Sequence, residues 1–544
     1  MRNRKGSPLL AVAIVALCFA VGFLAGHLLY RIFGGNFTVT VLETTDVHGN
    51  YFDSLYNGTA RKCSMASIAS YMEKVREEEE IEPVLIDCGD NLQGDNAAFY
   101  YNFVDTADIH IVTDYMKYLG YDAVVVGNHD IEAGHSVYDR VCRNSEIPYL
   151  AANAVYESGP DAGKPYFRPY TVVERGGIRI AVIGMTNANI KSWLPQEKWD
   201  GLDFIRISDI AQDITDEVLE KEKPDFVILA VHSGTGESSD RPDNENEALY
   251  LAHNVRGVNL VLCGHDHVAT AYAVNTPDGE VGLINAGKAA QNVGRCDIKF
   301  KKKKGGFKVR KIKCSLVPMD GIAPDEEFKD RFMPQFEEVK EFACRKIGVI
   351  TGDLLFEGVL DGPTAYMTLV HTVQLASTGA DISISAPLST RGRIAAGPVT
   401  FQDLTKIYVY ENMLYVVRMT GRQIKDYLEY SYQNWIASSG PSYNYDSAFG
   451  IDYEVSKSAQ QGQRVKIKGM SNGESFREDK LYSVAMTSYR ASGGGGLLAE
   501  GAGINPEDIV IVDKLKDIRS LIGDYIAARK EIAPVIADNW KFVD

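Results

Sequence analysis

Apolar runs rich in β-branched residues alternate along the chain with stretches of helical periodicity. The runs are short, continuously apolar and bounded by polar residues or glycine, which is typical of strands buried on both faces. The predicted strands are TVTVLETT, PVLIDCG, AVVVGN, IRIAVIG, DFVILAVHS and NLVLCGH. The predicted helices between them include SMASIASYMEKVREEEE and TDYMKYLG. This alternation predicts an α/β fold.

The N-terminal segment has a different pattern. The run from Leu9 to Tyr30 contains no charged residue and is long enough to span a bilayer as a helix. Because the basic residues of MRNRK precede it, we expect the N-terminus inside and the body outside. The alternative is a cleaved signal peptide, with Ala20-Val21-Gly22 as its cleavage site. Both alternatives predict export to the periplasm or cell surface, and the segment length favours a membrane tether through residues 9–30.

In the middle of the chain the pattern of apolar and polar residues changes twice. The segment IKFKKKKGGFKVRKIKCSLV alternates around a Gly-Gly turn and predicts a hairpin. The segment DEEFKDRFMPQFEEVKEFACRKI then predicts a helix that links two domains. The predicted divisions are an N-terminal segment at 1–36, a first domain at 37–322, a linker helix at 323–347 and a second α/β or α+β domain at 348–544.

Composition limits the classes of protein to which the chain can belong. Its 544 residues are 45% apolar and carry a net charge of −16. The chain is too long to form a single compact core, and its apolar content excludes long disordered segments. The acidic balance argues against duplex nucleic acid as a partner, because binding phosphates needs a basic surface. Seven cysteines lie beyond the apolar segment without a C-x-x-C pair, which argues against a zinc ribbon and leaves disulfide pairing and oligomeric state open.

Polar side chains cluster where five of the predicted strands end. They are Asp46 with His48, Asp90, Asn128 with His129, His232, and His265 with His267. Ligands bind at the carboxyl ends of strands in open α/β folds, so these side chains converge if the strands share one sheet. One such motif alone is more often a turn or a cap than a site. Five motifs in order favour a functional site.

The residue types indicate what this site binds. Aspartate, histidine and asparagine without thiolates suit Mn, Fe, Zn or Co rather than a structural zinc. Seven candidate ligands exceed the needs of one tetrahedral ion with an open position. They fit two divalent ions bridged by a carboxylate, an arrangement that activates water and neutralises a phosphoryl group. His129 is then left to protonate the leaving oxygen.

The ordered set resembles the calcineurin-like metallophosphoesterase family over residues 38–300. That resemblance implies a β-sandwich flanked by helices, and it divides the ligands between two metals. The first metal takes Asp46, His48, Asp90 and His267, and the second takes Asp90, Asn128, His232 and His265, with Asp90 as the bridge. It also implies that His129 is the catalytic histidine and that the acidic residue three positions later, Glu132, supports it. Asp130 is a second candidate for this support, and a helix cap is its alternative role.

Segments of the second domain resemble the C-terminal, nucleotide-binding domain of bacterial 5′-nucleotidases and their cyclic-phosphodiesterase relatives. The segments are ADISISAPLSTRGRIAAG, YVYENMLYVVRMTGRQIKDYLE, FGIDYEVS and TSYRASGGGG. The resemblance implies a nucleotide substrate whose base is clamped by two aromatic rings, at Tyr410 and Tyr489. Further implied or candidate substrate contacts are Arg391, Asn412, Arg393 and Arg490. Core packing of the tyrosines and solvated arginines are the alternatives, because the chain has 29 tyrosines and arginine is mostly exposed.

Small departures from the motifs of 5′-nucleotidases narrow the range of expected substrates. In 5′-nucleotidases the second clamp is typically Phe followed by Asn-Ala and a Gly-Gly-Asp, whereas this chain has Tyr489-Arg490-Ala491 and places Gly495 at the Asp. The pattern is closer to the 2′,3′-cyclic-nucleotide 2′-phosphodiesterase/3′-nucleotidase branch. A 5′-nucleotidase or UDP-sugar pyrophosphatase is the alternative activity. A non-catalytic surface nucleotide-binding protein is the alternative of another class, against which the complete ligand set argues.

Overall fold

A computed structural model describes residues 36–107, 109–239, 245–303 and 305–544. The predicted tether at residues 9–30 lies outside the described residues. Within the parts of the chain that the structure describes, no helix has the length and apolar character needed to cross a bilayer.

The first domain contains two six-stranded sheets. The first sheet has the order β14-β13-β1-β2-β3-β4, and the second has the order β11-β12-β10-β9-β7-β6. The strands are β1 (Asn36–Thr44), β2 (Val84–Asp87), β3 (Ala123–Val125), β4 (Tyr149–Leu150), β5 (Ala154–Tyr156), β6 (Tyr170–Arg175), β7 (Ile178–Thr186), β8 (Leu202–Phe204), β9 (Phe226–His232), β10 (Leu260–Cys263), β11 (Thr270–Thr276), β12 (Gly279–Asn285), β13 (Asn292–Lys303) and β14 (Gly306–Pro318). Strands β5 and β8 form a separate small pair, and the predicted hairpin is β13 with β14.

Three apolar layers hold these sheets and their helices together. Side chains alternate along β1, so that Val41 belongs to the layer between the two sheets and Leu42 to the layer under the helices on the outer face. The helices of the first domain are Met65–Glu77, Asn96–Phe99, Ile111–Leu119, Asn128–Glu132, His135–Asn144, Ile190–Trp193, Ile207–Glu222 and Ala248–Asn254. Those at 207–222 and 248–254 cover the outer face of the second sheet. The result is the predicted β-sandwich flanked by helices.

The five strands that carry the candidate site are divided between the two sheets. Strands β1, β2 and β3 are parallel neighbours in the first sheet, and β9 and β10 are parallel neighbours in the second. The condition that all five share one sheet therefore does not hold. Their polar ends converge because the carboxyl ends of both sheets meet at one edge, where His232 at the end of β9 donates from Nδ1 to the Cys88 carbonyl after β2 at 2.7 Å.

A single helix, Glu326–Ala343, connects the domains within the predicted linker. The side chain of Asp325 caps it by accepting a hydrogen bond from the Phe328 N–H at 2.6 Å. Near its end, the Phe342 ring lies 4.4 Å from the ring of Phe401 in the second domain and 6.2 Å from that of Phe99 in the first, measured between centroids. This aromatic contact ties both domains to the linker.

The second domain is built on a five-stranded sheet with the order β21-β17-β24-β20-β25. Its strands are β15 (Lys346–Ile350), β16 (Leu354–Leu355), β17 (Ile382–Ser385), β18 (Arg393–Ile394), β19 (Gly397–Thr400), β20 (Met413–Thr420), β21 (Ser447–Phe449), β22 (Ile451–Val455), β23 (Val465–Met470), β24 (Leu481–Thr487), β25 (Val510–Asp517), β26 (Glu531–Ile532) and β27 (Trp540–Phe542). Its helices are Ala365–Thr378, Phe401–Ile407, Gly421–Ala437, Ser488–Ala491 and Ile518–Arg529. Mixed strands and helices around two apolar clusters agree with the predicted α/β or α+β class.

Candidate active site between the two domains

The candidate metal ligands lie at the carboxyl ends of the strands, and most of them have an unusual backbone conformation. Among the described residues, eleven other than glycine have a positive φ, and five of these are candidate ligands. They are Asp46, His48, Asp90, His265 and His267, with φ between 49° and 75°. A left-handed backbone conformation is uncommon for residues with a side chain, and such strained conformations occur mainly at functional sites. The sharp turns that it makes aim these side chains into one space.

One group of candidate ligands consists of Asp46, His48 and His267. The Nε2 atoms of His48 and His267 lie 3.0 Å apart, and His267 Nε2 lies 3.3 Å from Asp46 Oδ1. His48 is oriented from behind, because its Nδ1 lies 3.0 Å from Gln93 Oε1. The Gln93 contact leaves His48 Nε2 to face the group.

The second group consists of Asp90, His232 and His265. His232 Nε2 lies 3.1 Å from Asp90 Oδ2, and Asn128 Oδ1 lies 3.0 Å from His232 Nε2 and 2.9 Å from His265 Nδ1. Asp90 Oδ2 also lies 4.0 Å from His48 Nε2 of the first group. Asp90 therefore stands between the two groups, where the resemblance placed the bridging carboxylate.

The electrostatics of these side chains favour bound cations. Burial raises the pKa of Asp46 and Asp90, but the surrounding imidazoles, chiefly His267 and His232, lower both below the usual value. Burial lowers the pKa of His48 to about 4. The buried carboxylates are thus stable as anions only with positive charge beside them.

The donor set fits two divalent metal ions. The Oδ1 atom of Asp46 is buried and accepts no hydrogen bond within the described residues, as expected for an atom reserved for a ligand. The two groups supply carboxylate oxygens and imidazole nitrogens, with no thiolate. Such donors suit Mn, Fe, Zn or Co at a dinuclear site.

The two acidic residues near His129 have different partners. Glu132 Oε2 accepts a hydrogen bond from His129 Nδ1, which turns His129 Nε2 away from the helix. Asp130 instead accepts backbone hydrogen bonds from Asp90, Asn91 and Leu92 at 2.9–3.0 Å, and one from Gly127. Glu132 is therefore the histidine's support, whereas Asp130 fixes the loop that carries Asp90.

The charge on His129 follows from its neighbours. Burial would lower the pKa of this imidazole, but the carboxylates of Asp90 and Glu132 outweigh burial and raise it to about 9. Its backbone N–H also donates to Asp90 Oδ1 at 2.8 Å. His129 is thus held beside the ligand groups in a form that can donate a proton.

A cavity of about 390 Å³ opens from these side chains toward the second domain. Asn128, His129 and His265 line one side, and tyrosines of the second domain line the other, among them Tyr410, Tyr443 and Tyr489. The ring of Tyr410 is perpendicular to that of Tyr443, with centroids 6.3 Å apart. A flat aromatic ligand could be held among these rings with its other end at the metal ligands.

Arg490 organises the tyrosine side of the cavity. It is 3% exposed and makes a two-point ion pair with Asp446, from Nε at 2.8 Å and from Nη2 at 2.9 Å. It also donates to the carbonyls of Tyr443 at 2.6 Å and Gly494 at 3.0 Å. Gly494 packs against the ring of Tyr489 so closely that a Cβ there would lie 2.3 Å from it. Arg490 therefore fixes the loops that present the tyrosine rings.

The other predicted substrate residues are placed differently. Asn412 lines the cavity. Arg391 and Arg393 are exposed and do not line it, and Arg393 pairs with Asp353 at 2.7 Å. Of the three candidate arginines, the structure brings only Arg490 to the cavity.

Several cavity residues were not identified from the sequence. They include Trp193, Glu245 and Tyr443. Each lies in a loop or a short helical turn, where no periodicity or motif marks it. The abundance of tyrosine in the segment PSYNYDS was the only signal for Tyr443, and it is a weak one.

Comparison with known families agrees with this geometry. Residues 39–269 match the family model for calcineurin-like phosphoesterase. Residues 346–500 match that for the 5′-nucleotidase C-terminal domain. The fold and site thus define the class of the protein as a metallophosphoesterase, an enzyme class that uses two divalent metals. More particularly, the two matches in this order give the chain the domain pair of the 5′-nucleotidases.

Individual relatives have low sequence identity to the chain but match nearly all of it. The trifunctional nucleotide phosphoesterase protein YfkN of Bacillus subtilis is 24% identical over 92% of the chain, which spans only 38% of that protein. The 2′,3′-cyclic-nucleotide 2′-phosphodiesterase/3′-nucleotidase of Yersinia enterocolitica is 24% identical over 92% of the chain and 87% of its own length. A crystal structure of a 5′-nucleotidase candidate from Staphylococcus aureus shares the fold, with a TM-score of 0.77, 20% identity, and coverage of 93% of the chain and 100% of that structure.

Proposed function

We propose that the protein hydrolyses nucleotide phosphate esters, with 2′,3′-cyclic nucleotides and 3′-nucleotides as the preferred substrates. The observation that carries this proposal is the cavity between the domains, which joins the metal-ligand groups to the rings of Tyr410, Tyr443 and Tyr489. A nucleotide is a ligand that needs both a phosphate site and a flat aromatic site in one cavity. Stacking suits any base, and is worth about 1–3 kcal/mol per base.

The roles of the residues follow from their positions. Asp46, His48, Asp90 and His267 would hold one ion, and Asp90, Asn128, His232 and His265 the other. Two divalent ions held there supply an activated water and neutralise charge on the phosphoryl group. His129, supported by Glu132, donates a proton to the ribose oxygen as that oxygen leaves phosphorus. Tyr410 and Tyr489 hold the base, and Tyr443 buttresses Tyr410.

For a cyclic substrate the sequence of bonds is simple. Water adds to phosphorus and releases one proton to solvent while the bond from phosphorus to the 2′ oxygen breaks. The 2′ oxygen takes a proton from His129, which regains one from solvent. The product is a 3′-nucleotide. A second hydrolysis at the same site then releases phosphate and the nucleoside.

The wall of the cavity at Gly495 supports the cyclic and 3′ substrates over 5′-nucleotides. Gly495 has a φ of 74°, and a Cβ there would lie 2.6 Å from Asn444 Oδ1 and 2.8 Å from Arg490 Nη1. An aspartate at this position would need a strained backbone and a shift of the Asn444 and Arg490 side chains. The neutral amide of Asn444 and the guanidinium of Arg490, which is paired with Asp446, stand there instead of an unpaired carboxylate, and this supports a phosphate on the 2′,3′ edge of the ribose.

A substrate panel tests this preference. The metal-loaded protein is assayed with 2′,3′-cyclic AMP, 3′-AMP, 5′-AMP and UDP-glucose, and kcat/KM is compared. We expect 2′,3′-cyclic AMP and 3′-AMP to have the highest values. A higher kcat/KM for 5′-AMP or UDP-glucose would contradict the preference and favour the alternative activity.

We also propose that the enzyme works outside the cytoplasm, tethered by residues 9–30. This rests on the uncharged run from Leu9 to Tyr30 and on the basic residues before it. Fractionation of the producing cells and N-terminal sequencing of the purified native protein test it. A protein found in the cytosolic fraction would contradict export, and a native N-terminus near Phe23 would contradict the tether.

A further inference from the structure

We propose that Glu245 is a positioning residue, which holds His265 in the one tautomer and orientation that can bind the second metal. The proposal rests on the metallophosphoesterase function proposed above. It concerns a side chain that neither the sequence pattern nor the family resemblance singled out.

The two ring nitrogens of His265 face opposite neighbours. Nε2 lies 2.6 Å from Glu245 Oε1, and Nδ1 lies 2.9 Å from Asn128 Oδ1 in the second ligand group. A carboxylate can only accept a hydrogen bond, so Nε2 carries the proton and donates it to Glu245. In neutral imidazole, Nδ1 then holds its lone pair toward the second ligand group.

Such a contact has a clear effect on metal binding. A histidine that donates its second N–H to a carboxylate is fixed in ring orientation and becomes a more basic ligand. Within the described residues His232 is fixed in a comparable way, because its Nδ1 donates to the Cys88 carbonyl. For His265, the carboxylate of Glu245 is the acceptor that fixes the ring.

The backbone of Glu245 is anchored even though its side chain is 48% exposed. Its carbonyl accepts hydrogen bonds from Ser233 Oγ at 2.9 Å and from Asn187 Nδ2 at 2.8 Å. Ser233 directly follows the candidate ligand His232. The position of Glu245 is therefore set by the same strand end that carries a ligand of the second metal.

Trp193 completes the support from the side of the ring. Its indole is nearly parallel to the His265 imidazole, with an interplanar angle of 15° and centroids 5.2 Å apart. Stacking restricts the tilt of His265, whereas the bond to Glu245 fixes the rotation of the ring in its own plane. Both side chains also line the substrate cavity.

The experiment measures metal binding directly, by metal content after challenge with a graded chelator. In Glu245→Ala we expect the affinity for one of the two ions to fall about 10- to 100-fold, with the other ion retained. In Glu245→Gln the side-chain carbonyl can still accept from Nε2, so we expect most of the affinity to return. Glu280→Ala is the matched control, because Glu280 is an exposed carboxylate near the start of β12, at the far end of that strand from the site.

A second readout distinguishes positioning from direct catalysis. Raising the metal concentration should restore turnover of Glu245→Ala toward the wild-type value. Unchanged affinity for both ions in Glu245→Ala would overturn the proposal, and so would a wild-type protein that binds only one ion. If the wild type binds two ions but hydrolyses no nucleotide, the proposed substrate fails while the role of Glu245 is still decided by the metal content.

Discussion

The ring of Tyr410 lies parallel to the imidazole of His129, with 4° between the ring planes and 6.2 Å between the centroids. Tyr410 belongs to the second domain and His129 to the first, so this contact joins the predicted base-binding side of the cavity to its predicted catalytic side. The two domains therefore form one site in this arrangement. If the domains separate during turnover, this contact is among those that break.

Replacing Tyr410 should weaken substrate binding more than the chemical step. Tyr410→Ala removes one stacking surface and should raise KM for 2′,3′-cyclic AMP about tenfold, given the usual contribution of base stacking. Tyr410→Phe keeps the ring and should behave like the wild type. Steady-state kinetics of both variants check this, and an unchanged KM in Tyr410→Ala would show that the base does not stack there.

Replacing His129 should have the opposite kinetic signature. His129→Ala should lower kcat at least ~10²-fold, because the leaving oxygen loses its proton donor. Metal content should remain at the wild-type level, since His129 is not one of the candidate ligands. Glu132→Gln should lower kcat less, because the amide can still hold Nδ1. Full activity of His129→Ala would contradict its assigned role.

Replacing Asp90 should remove metal as well as activity. Its carboxylate lies between the two ligand groups, 3.1 Å from His232 Nε2 and 4.0 Å from His48 Nε2. Asp90→Ala should therefore lose both ions, whereas Asp130→Asn, which alters only the loop behind Asp90, should keep at least one. Elemental analysis of the purified variants measures this. An Asp90→Ala protein with two bound ions would show that Asp90 does not bridge them.

The second domain carries a buried histidine that should make its stability depend on pH. Burial lowers the pKa of His371 to about 4, although Asp446 acts in the other direction. Its ring lies between Ser383 Oγ at 2.9 Å and Ser447 Oγ at 3.1 Å. Between pH 6.5, which is the ordinary pKa of histidine, and about pH 4, His371 binds a proton in the unfolded chain but not in the folded domain. The contribution of the neutral His371 to the stability of the domain is therefore fully present above pH 6.5, and it is lost as the pH falls through this interval.

The test compares thermal unfolding of the wild type and His371→Gln across that interval. The variant should be less stable at neutral pH and should lose less stability on acidification. His253→Gln, at an exposed position, should follow the wild-type curve. Equal pH dependence in the wild type and His371→Gln would contradict a buried neutral His371.

The sequence was sufficient to predict the candidate metal site because its residues carry local signals. Asp46, Asp90 and His232 each follow a continuous apolar run, and such runs predict buried strands. The division of these strands between two sheets was not predictable, because a strand pattern does not state which strand is its neighbour. Nor did any pattern indicate the left-handed backbone of His265 and His267, since a positive φ at histidine depends on tertiary contacts.

The substrate side of the cavity was harder to predict. Arg391 lies in a loop and Arg490 in the short helix Ser488–Ala491, and only packing decides that Arg490 is buried against Asp446 while Arg391 is exposed. Trp193 ends a short helix far before His265 in the chain, Glu245 lies in a loop nearer to it, and neither forms a motif with it. Contacts of this kind depend on the folded arrangement rather than on local sequence.

The most direct test of the central claim is phosphate release from 2′,3′-cyclic AMP by the metal-loaded protein, measured before and after removal of the metal. The nucleoside product is measured in the same samples, without added phosphatase, and reports the second hydrolysis. We predict release of phosphate and adenosine by the loaded protein, loss of both on chelation, and recovery when Mn or Zn is returned. Equal phosphate release by the loaded and metal-free protein, or none by either, would contradict a dinuclear nucleotide phosphoesterase.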